Sequence, residues 1–304
     1  VGFRTAGLIW TAISIACIVI SVRALEPFAP RLFREHRLAT TLVLVSTYPV
    51  FELLGAGQQS AVTFLLLVIG IRLVMSDHQA WAGVVFALGA IKPQLFIVVP
   101  FVLIALRMWK ALATGALTGL ITLAVTHFVF GPKVFARWLE ALQSPSYLEL
   151  VQVDQAWKMV GLPAFFVTLV PPSLAGLTSS LGTFISVAVL IFAVWLIFTR
   201  ASAQVHQRAI WSFAILATVL ASPHLVAYDL IIVLIPALYL AEHVNIRSVR
   251  VTLLLLYLLS WTIAVRHILA TQLVWPFTLI EASWATLPLL WMWRDLARQV
   301  ESRP

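Results

Sequence analysis

Long apolar segments separated by short polar gaps run through almost the whole of this sequence. They cover residues 5–22, 38–54, 60–75, 80–106, 111–130, 181–199, 209–241, 251–268 and 277–293. Several are close to the roughly 20 residues that cross a bilayer as a helix. Because 62% of the 304 residues are hydrophobic and only 11% are charged, a soluble domain of this size could not bury them. The sequence therefore predicts an all-α, polytopic membrane protein.

Two of the segments are long and are interrupted by polar residues. Lys92 and Pro93 break residues 80–106, and Ser222–His224 break residues 209–241. A single helix over the second segment would be about 50 Å long, beyond the roughly 30 Å of hydrocarbon. We therefore divide both segments into hairpins, which gives a transmembrane helical bundle with about 11 membrane helices. Most lysine and arginine residues lie on the cytoplasmic side whether the two segments are hairpins or single spans. The positive-inside rule therefore does not distinguish these two topologies.

The net charge of +8 fits orientation signals in short loops and requires no nucleic-acid partner. We predict one integral domain over residues 1–304 in the plasma membrane, with a cytoplasmic C-terminus. An extracytoplasmic loop is expected at residues 131–180. Within it, "GPKVFARWLEAL" predicts an amphipathic helix with Pro132 in its first turn. This helix either lies on the membrane surface and guides a lipid-linked substrate, or is a lid packed on other helices.

Three polar breaks fall on the same outer side in the hairpin topology. They are Gly55–Ser60, Ile91–Gln94 and Ala221–Asp229. Because uncompensated charge in lipid costs several kcal/mol, we expect the three breaks to converge on a site. Each part also has an ordinary structural explanation: a snorkelling Lys92, a helix-capping His224, and glutamines that fill a turn. Asp229 lies in an apolar run, where its carboxylate needs a cation or hydrogen-bond donors.

The order of several short motifs resembles glycosyltransferase family 87. They are "GQ" at Gly57, "AGVVFALGAIKPQ" with Lys92, "RMWK", "GPKVFARWLEAL", "DQAW" from Asp154, and "SPHLVAYDL". The resemblance covers residues 38–241 and implies a polytopic mannosyltransferase-like enzyme of the type C superfamily. Such an enzyme transfers a hexose, usually mannose, from a polyprenyl-phosphate-sugar donor to an extracytoplasmic lipid or glycan acceptor. These two substrates and the bilayer are the expected partners.

The chemistry of that reaction suggests roles for the polar residues. Sugar transfer passes through an oxocarbenium-like state and expels a phosphate whose negative charge grows. Lys92 and His224 are the candidate catalytic cations for that phosphate. The candidate substrate-binding residues are Gln58, Gln59, Asp154, Gln155, Tyr228 and Asp229. Asp229 could also orient His224. We expect no metal and no cofactor, since the sequence has neither metal-ligand spacing nor a glycine-rich phosphate loop.

The resemblance also implies a catalytic aspartate in the first outer loop, just after the first helix. The first acidic residue here is Glu26, in an arginine-rich stretch that we place in the cytoplasm. We therefore expect that one helix and that loop precede Val1. Two alternatives remain: a secondary transporter, whose broken helices carry polar groups, and a non-catalytic lipid-handling relative of the enzyme.

Overall fold

The computed structural model describes residues 2–147, 155–201, 207–244 and 246–301. Within these ranges the chain is helical and has no β-strand, and one isolated antiparallel bridge joins Met159 to Val226. The all-α prediction is confirmed for this part of the chain. The α-helices are α1 Phe3–Ala24, α2 Pro30–Val45, α3 Tyr48–Gly55, α4 Ser60–Met75, α5 Gln79–Gly89, α6 Val99–Ala105, α7 Trp109–Phe130, α8 Val134–Leu142, α9 Pro145–Tyr147, α10 Leu162–Thr168, α11 Ala175–Arg200, α12 Gln207–Ala221, α13 Leu234–His243, α14 Arg247–Trp261, α15 Ile263–Ala270 and α16 Thr286–Glu301.

Helix α12 lies at the centre of the fold. Every residue from Ala209 to Ala221 is buried, as expected for a helix that is apolar on all sides. It packs against α11, α13 and α16, and against the 3₁₀ turn Pro93–Leu95, which we call the Pro93 turn. The C-terminal end of this central helix therefore leads directly into the region where the polar breaks meet.

Proline occupies one of the first two positions of several helices, including α2 at Pro30, α3 at Pro49 and α10 at Pro163. The first-turn N–H groups of a helix have no intrahelical acceptor, so the missing N–H of proline has no cost there. The same residue type breaks the two long apolar segments, because a proline cannot continue a helix that precedes it.

Helices α5 and α7 approach each other closely through glycines. A Cβ atom on Gly83 would collide with the backbone carbonyl of Ala111 and with the hydroxyl of Thr114, and one on Gly115 would lie 3.2 Å from the Gly83 carbonyl oxygen. This contact places α5, the helix that precedes the Pro93 turn, against the long helix α7.

The predicted number of crossings is not confirmed. Within the described ranges, three helices are long and apolar enough to cross a bilayer, at Phe3–Phe28, Trp109–Phe130 and Gly176–Arg200. The count rises to five if two bent pairs each form one span: Pro30–Val45 with Tyr48–Gly55, bent by 49°, and Arg247–Trp261 with Ile263–Ala270, bent by 51°.

Fewer of the described helices than predicted are long enough to cross a bilayer, because the interrupted segments form short helices. The 11 residues of α5 and the 7 of α6 replace the first predicted hairpin. The 15 residues of α12 and the 10 of α13 replace the second. At 1.5 Å per residue none of these reaches across about 30 Å of hydrocarbon.

Two predicted helix boundaries also change. The segment predicted at 277–293 begins as the 3₁₀ turn Phe277–Glu281, and its helix α16 begins only at Thr286. The amphipathic helix predicted in the long loop is present as α8, but it begins at Val134, two residues after Pro132. The apolar residues Trp138 and Leu139 of α8 are 55% and 51% exposed. That exposure fits a helix lying in a membrane surface.

Candidate functional site

The Lys92 ammonium group lies at the meeting point of the three polar breaks. Its Nζ atom donates hydrogen bonds to Oδ1 of Asp229 at 2.7 Å and to Oγ of Ser60 at 2.9 Å. The Ser60 hydroxyl in turn donates to Oδ1 of Asp229 at 2.7 Å. The side chains of Lys92 and Asp229 are only 9% and 2% exposed. The predicted convergence of the three breaks is therefore confirmed.

Local backbone structure explains how each partner reaches this point. Lys92 directly precedes the Pro93 turn, where the helical hydrogen-bond pattern of α5 has already ended. Ser60 is the first residue of α4, after a turn in which Gly57 has φ +62°. The Trp10 indole N–H of α1 donates to the Gly57 carbonyl oxygen at 2.9 Å and so fixes this turn.

Asp229 belongs to a 3₁₀ turn, Ala227–Val233, that follows α12 and that we call the Asp229 turn. Its neighbour Tyr228 lies beneath the ammonium group, with its ring centroid 4.7 Å from Nζ of Lys92. A cation over an aromatic face gains further electrostatic stabilisation. The buried charge of Lys92 is thus balanced by one carboxylate, one hydroxyl and one aromatic ring.

His224 lies in the turn between α12 and the Asp229 turn, within electrostatic range of both Asp229 and Lys92. Burial lowers the pKa of His224, the Asp229 carboxylate opposes that shift, and Lys92 adds to it. Asp229 is paired with Lys92, so the expected orientation of His224 by Asp229 is not seen. In the described part of the chain, Nδ1 of His224 and Oγ of Ser222 are buried without a hydrogen-bond partner. Two such atoms in one turn leave hydrogen-bonding capacity for another group.

A second ion pair lies beside the first. Nζ of Lys158 lies 3.4 Å from Oε1 of Glu52, and the Tyr48 hydroxyl donates to Oε2 of Glu52 at 3.0 Å. The Tyr228 hydroxyl lies within electrostatic range of the carboxylates of both Glu52 and Asp229. The carboxylates of both ion pairs therefore act on one tyrosine, whose ring also lies under Nζ of Lys92.

Lys158 belongs to a stretch of the long loop, residues 155–161, that we call the docked segment. The Val160 N–H donates to the Leu225 carbonyl oxygen at 2.8 Å, and the Gly161 N–H donates to Oγ1 of Thr286 at 3.2 Å. The Ser283 hydroxyl donates to the Met159 carbonyl oxygen at 3.0 Å. These contacts attach the segment to the start of the Asp229 turn and to α16.

Aromatic stacking attaches the same segment to α15. The Trp157 ring lies parallel to the His267 ring, with centroids 4.1 Å apart and an interplanar angle of 4°. Nδ1 of His267 is 2.9 Å from Oε1 of Glu281. The docked segment of the long loop thus lies beside the site.

The remaining predicted site residues have fewer contacts. Gln58 is half-buried and Gln59 is exposed in the turn before Ser60, and Gln155 is half-buried at the start of the docked segment. Within the described ranges, no residue bonds to these three amide side chains. Asp154 lies outside the described residues. Sequence reasoning missed Ser60 and Glu52. Ser60 was signalled only by its place directly after the two glutamines, and Glu52 by being an acidic residue in an otherwise apolar helix.

Apolar helices of membrane-spanning length together with a buried lysine–aspartate pair define an integral membrane protein. The sequence profile of glycosyltransferase family 87 matches residues 1–223, so the chain belongs to that family. The family is one of membrane glycosyltransferases, which confirms the resemblance seen in the motifs. No curated protein and no solved structure matches the chain.

Proposed function

We propose that this glycosyltransferase transfers a hexose, mannose in the simplest case, from a polyprenyl-phosphate-sugar donor to an extracytoplasmic lipid or glycan acceptor. The observation that carries the proposal is the buried Lys92–Asp229–Ser60 network, since it holds a cation where three breaks in apolar helices meet. A cation at such a place suits a ligand that is both lipid-embedded and anionic.

The hydrogen-bonding capacity of Lys92 supports a phosphate at this point. An ammonium group has three N–H donors, and Lys92 uses two of them on Ser60 and Asp229. The third donates to a phosphate oxygen. The acceptor hydroxyl gives its proton to a general base, for which the family resemblance implies an aspartate, and forms its bond to the anomeric carbon. The bond from that carbon to the phosphate oxygen breaks, and negative charge grows on the leaving group. Lys92 stabilises that charge in a site from which water is largely excluded.

His224 supplies a second group for the same phosphate. Asp229 already balances the charge of Lys92, so the site has a net negative charge once the phosphate has bound. A nearby anion favours the protonated imidazole. His224 therefore takes up a proton when the donor binds and donates a charge-assisted hydrogen bond to the phosphate.

An apolar cavity beside the network supports a lipid donor. It has a volume of about 420 Å³ and lies between α2, α3, the Asp229 turn, α13 and α14. Its lining includes Leu44, Pro49, Leu230, Ala237 and Tyr257. Leu230 directly follows Asp229, and Pro49 directly follows Tyr48, the hydrogen-bond partner of Glu52. A prenyl chain in this cavity places its phosphate next to the polar network.

Neutral and charged groups around the network supply hydrogen bonds for sugar hydroxyls. Gln58, Gln59 and Gln155 have free amide side chains within the described ranges, and each amide is both donor and acceptor. We assign them, with Tyr228 and Asp154, to binding of the sugar and the acceptor.

The test is sugar transfer in sealed vesicles that expose the extracytoplasmic face. Radiolabelled polyprenyl-phosphate-mannose should support transfer, whereas a nucleotide sugar should not once synthesis of the polyprenyl donor is blocked. Lys92→Ala should impair transfer from the polyprenyl donor. Lys110→Ala is its matched control and should not, since Lys110 is exposed at the start of α7. Transfer from the nucleotide sugar under that block would refute the proposed donor.

A further inference from the structure

We propose that His267, held by Glu281, is a positioning residue that sets the place of Trp157 and Lys158 beside the Lys92 site and thereby controls substrate binding. The inference rests on the proposed function for its kinetic consequence. It assigns a role in the site to α15 and to the turn Phe277–Glu281, both of which lie beyond the residues that match the family profile.

The first step is the orientation of the His267 ring. Its Nδ1 atom lies 2.9 Å from Oε1 of Glu281, and both side chains are about a third exposed or less, at 32% and 27%. A hydrogen bond to one ring nitrogen fixes the plane of an imidazole. The parallel Trp157 ring, with its centroid 4.1 Å away, is fixed with it.

The second step connects Trp157 to the ion pair of Lys158. Nζ of Lys158 lies 4.8 Å from the Trp157 ring centroid and 3.4 Å from Oε1 of Glu52. The Trp157 ring therefore provides a surface that holds the lysine stem toward Glu52. Moving that ring moves the ammonium group that pairs with Glu52.

The third step leads from Glu52 to the network of Lys92. The Glu52 carboxylate acts electrostatically on the Tyr228 hydroxyl, and the Tyr228 ring lies under Nζ of Lys92. A series of contacts thus runs from His267 through Trp157 and Lys158 to Glu52. From there the Glu52 carboxylate acts electrostatically, without direct contact, on Tyr228, whose ring lies under Nζ of Lys92. Of the residues in this series, only Tyr228 and Lys92 would touch the substrate.

The second half of the docked segment does not depend on this stacking. Hydrogen bonds from Val160 and Gly161, and one to the Met159 carbonyl oxygen, already attach its second half. Loss of the His267 ring therefore frees the first half, with Trp157 and Lys158, while the fold persists. An interaction that positions bound substrate equally in the ground and transition states appears in KM rather than in kcat.

The experiment compares His267→Ala with His267→Phe in the full-length protein in lipid nanodiscs. We expect His267→Ala to raise KM for the polyprenyl donor about tenfold with kcat within about twofold of the parent. His267→Phe retains an aromatic face for Trp157 and should keep KM within about twofold. The matched control is His243→Ala, because His243 also stacks on an aromatic ring, Tyr239, at 4.4 Å but on α13.

Hydrogen–deuterium exchange of the peptide that covers residues 155–161 gives a readout that needs no sugar transfer. Exchange should be faster in His267→Ala, parental in His267→Phe, and parental in His243→Ala. Parental exchange or parental KM in a folded His267→Ala protein overturns the inference. If no variant and no parent transfers sugar but exchange follows the expected order, the proposed function fails and the positioning of the docked segment stands.

Discussion

The ammonium nitrogen of Lys92 lies 2.7 Å from Oδ1 of Asp229, a residue 137 positions further along the chain, and both side chains are buried. The pair connects the break after α5 to the break after α12, the central helix of the fold. The same contact has two properties. It holds the three polar breaks together, and it places a cation where a phosphate would bind. The stability and the turnover of variants at these two positions separate the two properties.

Removing one member of the Lys92–Asp229 pair should destabilise the folded protein. Lys92→Met leaves Asp229 buried without its cation, and Asp229→Leu leaves an unpaired ammonium group. We expect each single variant to lower the free energy of unfolding by about 3–5 kcal/mol. The double variant Lys92→Met/Asp229→Leu should be destabilised far less than the sum, because no unpaired charge remains. Denaturant unfolding in detergent measures this cycle. Additive effects of the two substitutions would show that the pair is not coupled.

Gly161 should tolerate no side chain. Its φ of +125° is strained for any other residue, and a Cβ atom there would lie 2.9 Å from the Val219 carbonyl oxygen of α12. We expect Gly161→Ala to reduce stability by about 1–3 kcal/mol. In Gly176→Ala the new Cβ meets no atom within 4 Å, and Ala at this second position of α11 restricts the unfolded chain without straining the helix. A thermal shift assay that ranks Gly176→Ala below Gly161→Ala would contradict this account.

Acid should destabilise the protein through His224. Burial lowers the pKa of His224 in the folded chain, so below about pH 6.5 the unfolded chain binds the proton more readily. The stability that depends on neutral His224 is present above this pH and is lost as the pH falls. We expect the melting temperature to decrease from pH 7 to pH 5, and to decrease less in His224→Gln.

The control for this pH dependence is His127→Gln, since His127 is exposed on α7. Melting curves of the parent, His224→Gln and His127→Gln over the same pH range measure how much of the pH dependence is due to His224. Equal pH dependence in the parent and in His224→Gln would remove His224 from the explanation.

The orientation of the chain gives a further prediction. In the predicted topology the chain enters and leaves each interrupted segment on the cytoplasmic side. This places Lys110, at the start of α7, and Arg208, at the start of α12, in the cytoplasm. Lys110→Cys and Arg208→Cys, each in a Cys17→Ala background, should resist an impermeant thiol reagent in intact cells. Lys133→Cys, in the predicted outer loop, should react. Labelling of both Lys110→Cys and Arg208→Cys would overturn this topology.

The sequence predicted the polar centre better than it predicted the helices around it. Lysine and aspartate inside apolar runs must find partners, and the hairpin topology put their breaks on one side, so the convergence of Lys92 with the break at Asp229 could be expected. Hydropathy does not distinguish a spanning helix from a short helix followed by a 3₁₀ turn. For this reason the Asp229 turn and the late start of α16 at Thr286 were missed.

Other contacts depend on tertiary structure and have no local signal. Lys158 reaches Glu52, and Trp157 reaches His267, only because the docked segment lies between α3 and α15. The same reason explains why Asp229 was expected to orient His224, five residues before it. The partner that competes for its carboxylate, Lys92, comes from a distant break and meets it only in the folded chain.

The most direct test of the central claim is sugar transfer by the double variant Lys92→Met/Asp229→Leu, which lacks the cation but leaves no buried charge unpaired. Turnover from polyprenyl-phosphate-mannose is measured per folded molecule, as determined by gel filtration in detergent, beside Lys92→Arg and Lys110→Ala. We expect the folded double variant to lose about a hundredfold in turnover, because a charge-assisted contact of roughly 3 kcal/mol to the leaving phosphate is gone. Lys92→Arg should also be impaired, since a planar guanidinium does not fit the place of a compact ammonium group, and Lys110→Ala should match the parent. Near-parental turnover by the folded double variant would show that Lys92 and Asp229 only hold the fold together, and would contradict a catalytic cation at this site.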